Sequence, residues 1–126
     1  MSIIIKNGHL IEPTAKVSEP MDVLIDGKFV KQIGNNLSGD EVIDAKGCVV
    51  CPGLVDIHVH FREPGFESKE TIASGSRSAA RGGFTSVVTM ANTRPVIDSA
   101  GMVEFVNRRA RETSLIKIHP AATATK

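Results

Sequence analysis

Residues 54–65 read LVDIHVHFREPG, and the fold turns on how this stretch is read. Apolar and polar residues alternate, which is the period of a strand. On that period Asp56, His58, His60 and Arg62 share one face, while Ile57, Val59 and Phe61 take the other and pack on helices. FESKETIASGSRSAARGG follows at 66–83 and reads as a helix. Ser68 is its expected cap, with Glu70 and Thr71 in the first turn. Ile72, Ser76, Ala79 and Ala80 give it a face of mostly small residues, and Gly82-Gly83 stops it. FTSVVTM at 84–90 is a short β-branched strand. After the loop ANTRPVID, Ser99 opens a second helix, SAGMVEFVNRRARE. Met102, Val103, Phe105 and Val106 form its apolar side. Arg108, Arg109 and Arg111 lie near its C-terminal end, where the helix dipole favours cations. LIKIHPAATAT adds a third strand and its loop. Strand, helix, strand, helix, strand begins a parallel α/β sheet. No further element closes that sheet, so the expectation is that these residues are the front of a longer protein.

The first 52 residues read differently. SIIIKNGHLI, MDVLIDGKFVKQIG and EVIDAKGCVVCPG are short strands punctuated by Asn7-Gly8, Asp26-Gly27 and Lys46-Gly47. Tight-turn dipeptides with little helix between them predict a meandering antiparallel sheet. The expected division is therefore a β segment over 1–52 and an α/β segment over 53–126.

Composition narrows the classes. The chain has 126 residues, 41% of them hydrophobic and 23% charged, with net charge +1. That is the balance of a globular protein, without a basic patch for nucleic acid or an apolar run that would span a membrane. The N-terminus MSIIIKNG lacks the features of a signal peptide, and a cytoplasmic location is expected. Cys48 and Cys51 have the C-x-x-C spacing of redox and zinc sites. They flank Val49-Val50 in strand-like sequence, however, and no second such pair is present, so two reduced, mostly buried thiols are expected.

The chemistry concentrates in the opening stretch. Two imidazoles at i and i+2 on one strand face are placed to bind one metal ion, and in an α/β barrel that face is the interior, with the active site at the C-terminal strand ends. A single histidine there would read as a hydrogen-bonded core residue. Two imidazoles and a guanidinium are costly to bury without a ligand, which favours metal. Two ligands are too few, so others must come from other strands. Arg62 has two readings: a surface ion pair with Glu63 or Glu67, or a fork for a substrate carboxylate. Asn92, in the loop after the second strand, is either a turn residue or a polar contact for substrate at the same rim.

CPGLVDIHVHFREPG, followed by ETIASGSRSAARGGFTSVVTMANTRP, resembles dihydroorotase of the bacterial type I group, within the amidohydrolase superfamily. KNGHLIEP, DVLIDGKFVKQIG and VIDAKG are similar to that superfamily's N-terminal β-sandwich segment, so the resemblance runs through the whole chain. It implies the start of a metal-dependent (β/α)8 TIM-like barrel, incomplete here, preceded by part of a small β-sandwich domain. It implies that His58 and His60 are metal ligands, that His60 also lies against substrate, and that Arg62 and Asn92 hold the substrate carboxylate. The implied cofactor is zinc, one or two ions. The implied reaction is the reversible cyclisation of N-carbamoyl-L-aspartate to dihydroorotate in pyrimidine biosynthesis, by metal-activated water in the hydrolytic direction. Ala91 stands where many relatives have proline, which is expected to loosen the loop while leaving Asn92 in place. Family members are roughly three times this length, a barrel of about 250 residues plus the β domain. The remaining ligands and the proton-transferring aspartate are thus expected beyond residue 126, with no catalytic residue in this chain and no activity from it alone. Lys117, His119 and Lys126 match none of the ligands, and His119 is expected as a strand-end residue.

Two alternatives accompany this expectation. One is a neighbouring cyclic amidohydrolase of the allantoinase or dihydropyrimidinase type. The other is an inactive dihydroorotase-like partner of aspartate transcarbamoylase, which the presence of both His58 and His60 disfavours. Expected partners are the small-molecule substrate, a second copy of the chain in a homodimer, and aspartate transcarbamoylase.

Overall fold

The computed structural model describes residues 1–125. The chain divides into two compact units, Met1–Pro52 and a second beginning at Gly53.

The first unit holds β1 (Ser2–Lys6), β2 (His9–Glu12), β3 (Val17–Pro20), β4 (Asp22–Asp26), β5 (Phe29–Gly34), β6 (Glu41–Asp44) and β7 (Val49–Val50). These form two sheets, ordered β5-β4-β1-β6 and β3-β2-β7. The antiparallel meander expected from the turn dipeptides is therefore only partly realised. Asp26-Gly27 does join a hairpin, β4 to β5, with Gly27 at φ +60°. Asn7-Gly8 and Lys46-Gly47 do not. They pass the chain from one sheet to the other, so that β1 pairs with β6 and β2 with β7, both in parallel. The two segments turn in step. Ala45 N–H donates to Lys6 O at 2.8 Å, His9 N–H to Cys48 O at 3.0 Å, and Asn7 Nδ2 to Asp44 Oδ1 at 2.8 Å. Gly8 is required at this crossing, because a Cβ there would collide with Val50 and press on Ala45. Ile4, Leu10, Val23 and Ala45 are buried in this unit. Cys48 and Cys51 are free and exposed, contrary to the burial expected of them. The strand between them is only two residues long and lies at a sheet edge, so neither flanking residue enters a covered layer.

The second unit runs β8 (Leu54–Val59), α1 (Ile72–Arg81), β9 (Phe84–Thr89), α2 (Ala100–Thr113) and β10 (Lys117–Pro120). Its sheet is ordered β10-β9-β8 and is parallel throughout. The helix α1 begins later than expected. Thr71, not Ser68, is the cap: its hydroxyl accepts from Ser74 N–H at 3.0 Å, and Ser74 Oγ accepts from Thr71 N–H at 2.9 Å. This reciprocal pair fixes the first turn, whereas Ser68 lies in a turn that closes by Lys69 N–H donating to Phe66 O. Gly82 caps the other end, followed by Gly83 at φ +84°. Ser99 caps α2 by accepting from Met102 N–H. Phe61, Ile72, Val87, Ile97, Val106 and Ile118 form the core between sheet and helices, with Val59, Met102 and Phe105 packed against it. Gly75 lets α1 approach that core, since a Cβ at this position would strike the Phe61 ring.

Strict alternation along β8 does not hold. The register with β9 shifts between Asp56 and Val59, where three steps on β8 match two on β9. Asp56 stands in register with the core residue Val87 and so lies on the helix side, away from the face assigned to it with His58. Ile57, expected in the apolar layer, is 75% exposed. Val59 and Phe61 do reach that layer, and a bulge of this kind re-aims the side chains that follow it.

Candidate metal and anion site

The site lies where β8 and β9 end. Met90 N–H donates to Val59 O at 2.9 Å, so the two chains leave the sheet side by side. His58 is the penultimate residue of β8, and His60 is the first beyond it. Asp56 Oδ1 accepts from His58 N–H at 3.0 Å, which holds the bulged backbone. The two imidazoles converge, with Nε2 to Nε2 at 3.2 Å and ring centroids 5.1 Å apart.

The loop after β9 supplies Asn92, whose Oδ1 accepts from His60 Nδ1 at 2.9 Å. A neutral imidazole carries one proton, so Nδ1–H leaves the Nε2 lone pair of His60 free and directed at His58. Two nitrogens each 2.0–2.1 Å from a tetrahedral ion would stand about 3.3 Å apart. The observed 3.2 Å therefore fits a shared zinc ion, and the donor type fits as well. Among the described residues no group of three or more His, Cys, Asp or Glu side chains converges, so these two histidines supply two ligands and no more. His119 lies on β10 opposite Val88, outside this pair.

The two rim loops are stitched together. Arg94 N–H donates to Pro64 O at 3.0 Å, and Gly65, at φ +96°, lies so close to Arg94 that any Cβ would collide with its carbonyl. The Asn92 loop is itself tied down: Ala91 O accepts from Thr93 N–H at 2.8 Å and Ile97 N–H at 3.2 Å, and Thr93 Oγ1 donates to Pro95 O at 2.7 Å. Ala91 thus holds the loop through its carbonyl. Asn92, to which the resemblance to dihydroorotase gives a substrate contact, has its side-chain oxygen against His60.

Arg62 is three residues beyond β8 and half-buried. It makes neither of the ion pairs considered for it. Glu67 Oε1 accepts from Gly65 N–H at 2.8 Å, a bond that holds its carboxyl below the ordinary range. Glu63 is buried, with Oε2 accepting from Ile72 N–H at 2.9 Å and Oε1 from Arg109 Nε at 2.8 Å. The Glu63 hydrogen bond raises the Arg109 guanidinium above its ordinary value. The Glu63–Arg109 pair was not read from the sequence, where Arg109 is one of three arginines near a helix end. Its only signal is a cation on the helix that follows the Asn92 loop.

A family profile described as Dihydro-orotase-like matches residues 47–125. A dihydroorotase of Pelobacter propionicus is 46% identical over 99% of this chain and 30% of its own length. One from Clostridium acetobutylicum is 47% identical over 98% of this chain and 30% of its own. Among solved structures, the L-hydantoinase (dihydropyrimidinase) from Arthrobacter aurescens superposes with a TM-score of 0.84 at 25% identity, covering 95% of this chain and 27% of that one. The chain thus spans about 30% of the length of the curated relatives it matches.

Proposed function

The chain belongs to the dihydro-orotase-like family, and on that premise we propose that its gene product interconverts N-carbamoyl-L-aspartate and dihydroorotate, a step of pyrimidine biosynthesis. The family's fold is an amidohydrolase barrel, and the second unit has the parallel β-α-β-α-β order of such a barrel's opening. The observation that carries the proposal is the convergence of His58 and His60, followed two residues along the chain by Arg62, which makes no ion pair among the described residues.

His58 and His60 would hold zinc through their Nε2 atoms, with Asn92 keeping the His60 proton on Nδ1. When bound, the ion supplies a Lewis acid and lowers the pKa of water for attack on the ring amide. Arg62 binds the substrate carboxylate with its planar fork, which sets the ring against the metal side of the rim. Asn92 has an amide nitrogen left over after its oxygen takes the His60 proton, and that N–H₂ is free to donate to the same carboxylate. The proton-transferring group belongs to the rest of the gene product, together with the remaining ligands. A cytoplasmic location, a homodimer and association with aspartate transcarbamoylase complete the proposal. Among the described residues no helix is long and apolar enough to cross a membrane.

The likeness to a hydantoinase (dihydropyrimidinase) favours one second reading, a cyclic amidohydrolase acting on a ring without a carboxylate. Arg62→Met separates the two. The proposal expects a KM for dihydroorotate raised about tenfold or more, the value of a charge-assisted hydrogen bond to substrate, with hydrolysis of dihydrouracil unaffected. Equal loss on both substrates, or none on dihydroorotate, favours the second reading.

A further inference from the structure

An arginine that is to meet a ligand's carboxylate must be kept from the carboxylates of its own chain. Arg62 has two within five residues, Glu63 and Glu67, and both are engaged elsewhere. Glu67 is turned to Gly65 N–H. Glu63 is 6% exposed and divides its two oxygens between Ile72 N–H, at the start of α1, and Arg109 Nε, on α2. Arg109 comes from 46 residues away and is itself steadied by Glu112 at 3.4 Å. We propose that Arg109 is a positioning residue acting through Glu63: it claims this buried carboxylate and so leaves the Arg62 guanidinium free for the substrate's carboxylate.

The physical argument is one of competition. A buried carboxylate deprived of its cation is strongly unfavourable and takes the nearest replacement. Arg62, the residue before Glu63, carries no ion pair among the described residues and is the cation that would move in. Ile72 N–H alone leaves Oε1 of Glu63 without a partner, while the stitching of Pro64 and Gly65 to Arg94 keeps the loop from swinging the carboxylate into solvent. Loss of Arg109 therefore converts Glu63 into an internal competitor for the substrate site without touching the metal ligands.

This inference rests on the reading of Arg62 given above, and the test separates the two. In the intact gene product, KM for dihydroorotate and competitive inhibition by dihydrouracil, which lacks the carboxylate, are measured for Arg62→Met, Arg109→Gln, Glu63→Gln and the Arg109→Gln/Glu63→Gln double variant. Arg109→Gln is expected to raise KM for dihydroorotate about tenfold with kcat little changed and dihydrouracil binding unaffected. Adding Glu63→Gln is expected to restore most of that loss, because the amide still accepts from Ile72 N–H but no longer attracts Arg62. A merely structural role gives the opposite: both ligands weaken together and the double variant is as poor as the single or worse. Either of those results, or an unchanged KM in Arg109→Gln, overturns the inference. Should Arg109→Gln fail to fold, Arg109→Lys, which shortens the reach to Glu63 and loses the Nε bond, is read in its place: a carboxylate-selective rise in KM that added Glu63→Gln reverses supports the proposal, and an unchanged KM or a joint weakening of both ligands overturns it. If Arg62→Met leaves KM for dihydroorotate unchanged, the reading of Arg62 falls and the inference with it. If Arg62→Met raises KM and Arg109→Gln does not, only the inference falls.

Discussion

Asn92 holds His60 at 2.9 Å, and this contact decides which nitrogen of that ring faces His58. Partners of this kind are worth about 10–100-fold in metal affinity. Asn92→Ala is therefore expected to weaken zinc binding by about that factor, read by competition with a chromophoric chelator, whereas Asn92→Asp should keep more of it because a carboxylate still accepts from Nδ1–H. Equal affinity in wild type and Asn92→Ala would show that the ring is oriented without it. Type and spacing pointed to His58, His60 and Arg62, whereas for Asn92 spacing left a turn residue equally open and only the resemblance to dihydroorotase gave it a role. The sequence did not reveal that Asn92 serves His60, or that Glu63 is bound to Arg109. Both are contacts between loops or helices distant in the chain, and periodicity carries no information about them.

At the scale of elements, turn chemistry told where strands stop but not what they pair with. Asn7-Gly8 and Asp26-Gly27 look alike in sequence. One crosses between sheets and the other closes a hairpin, because β1 and β2 find parallel partners in β6 and β7 that lie some 40 residues on. Asp44 holds that crossing, accepting from Asn7 Nδ2 at 2.8 Å and Lys46 N–H at 3.1 Å, and these bonds place its carboxyl below the ordinary value. A carboxyl depressed in the folded state stabilises above its unfolded pKa and ceases to do so as pH falls through the folded one. Thermal melts of the intact gene product and of its Asp44→Asn variant should therefore differ most above about pH 4 and converge as the pH is lowered further; a gap that widens in acid would contradict this. Helix α1 makes a second test. Gly75→Ala drives a methyl into the Phe61 ring, and overpacking of that kind costs about 1–3 kcal/mol, seen as a lower melting temperature. The strand period of LVDIHVHF was readable, but the bulge between Asp56 and Val59 was not, since it answers to the register of β9.

Across the whole molecule, the surface that remains apolar is informative. Val55 and Ile57 on β8 are 60% and 75% exposed, and Phe29, Val30 and Val42 in the first unit 77%, 59% and 60%. Large apolar side chains left exposed on the strands of each unit favour burial against further surface. The 126 residues expressed alone are expected to self-associate and to melt without a sharp transition, checked by sedimentation and calorimetry; a monomer with a cooperative melt would contradict that. The α/β order of the second unit was readable, because a helix period first appears after Pro52. The central claim, however, is chemical: His58 and His60 hold a zinc ion on which dihydroorotate turnover depends. Dihydroorotate hydrolysis by the intact gene product, assayed before chelation, after it and after zinc is restored, tests it most directly. The account predicts that turnover is lost with the metal and returns with it, and that His58→Ala and His60→Ala abolish both; undiminished turnover in the metal-free protein would contradict it.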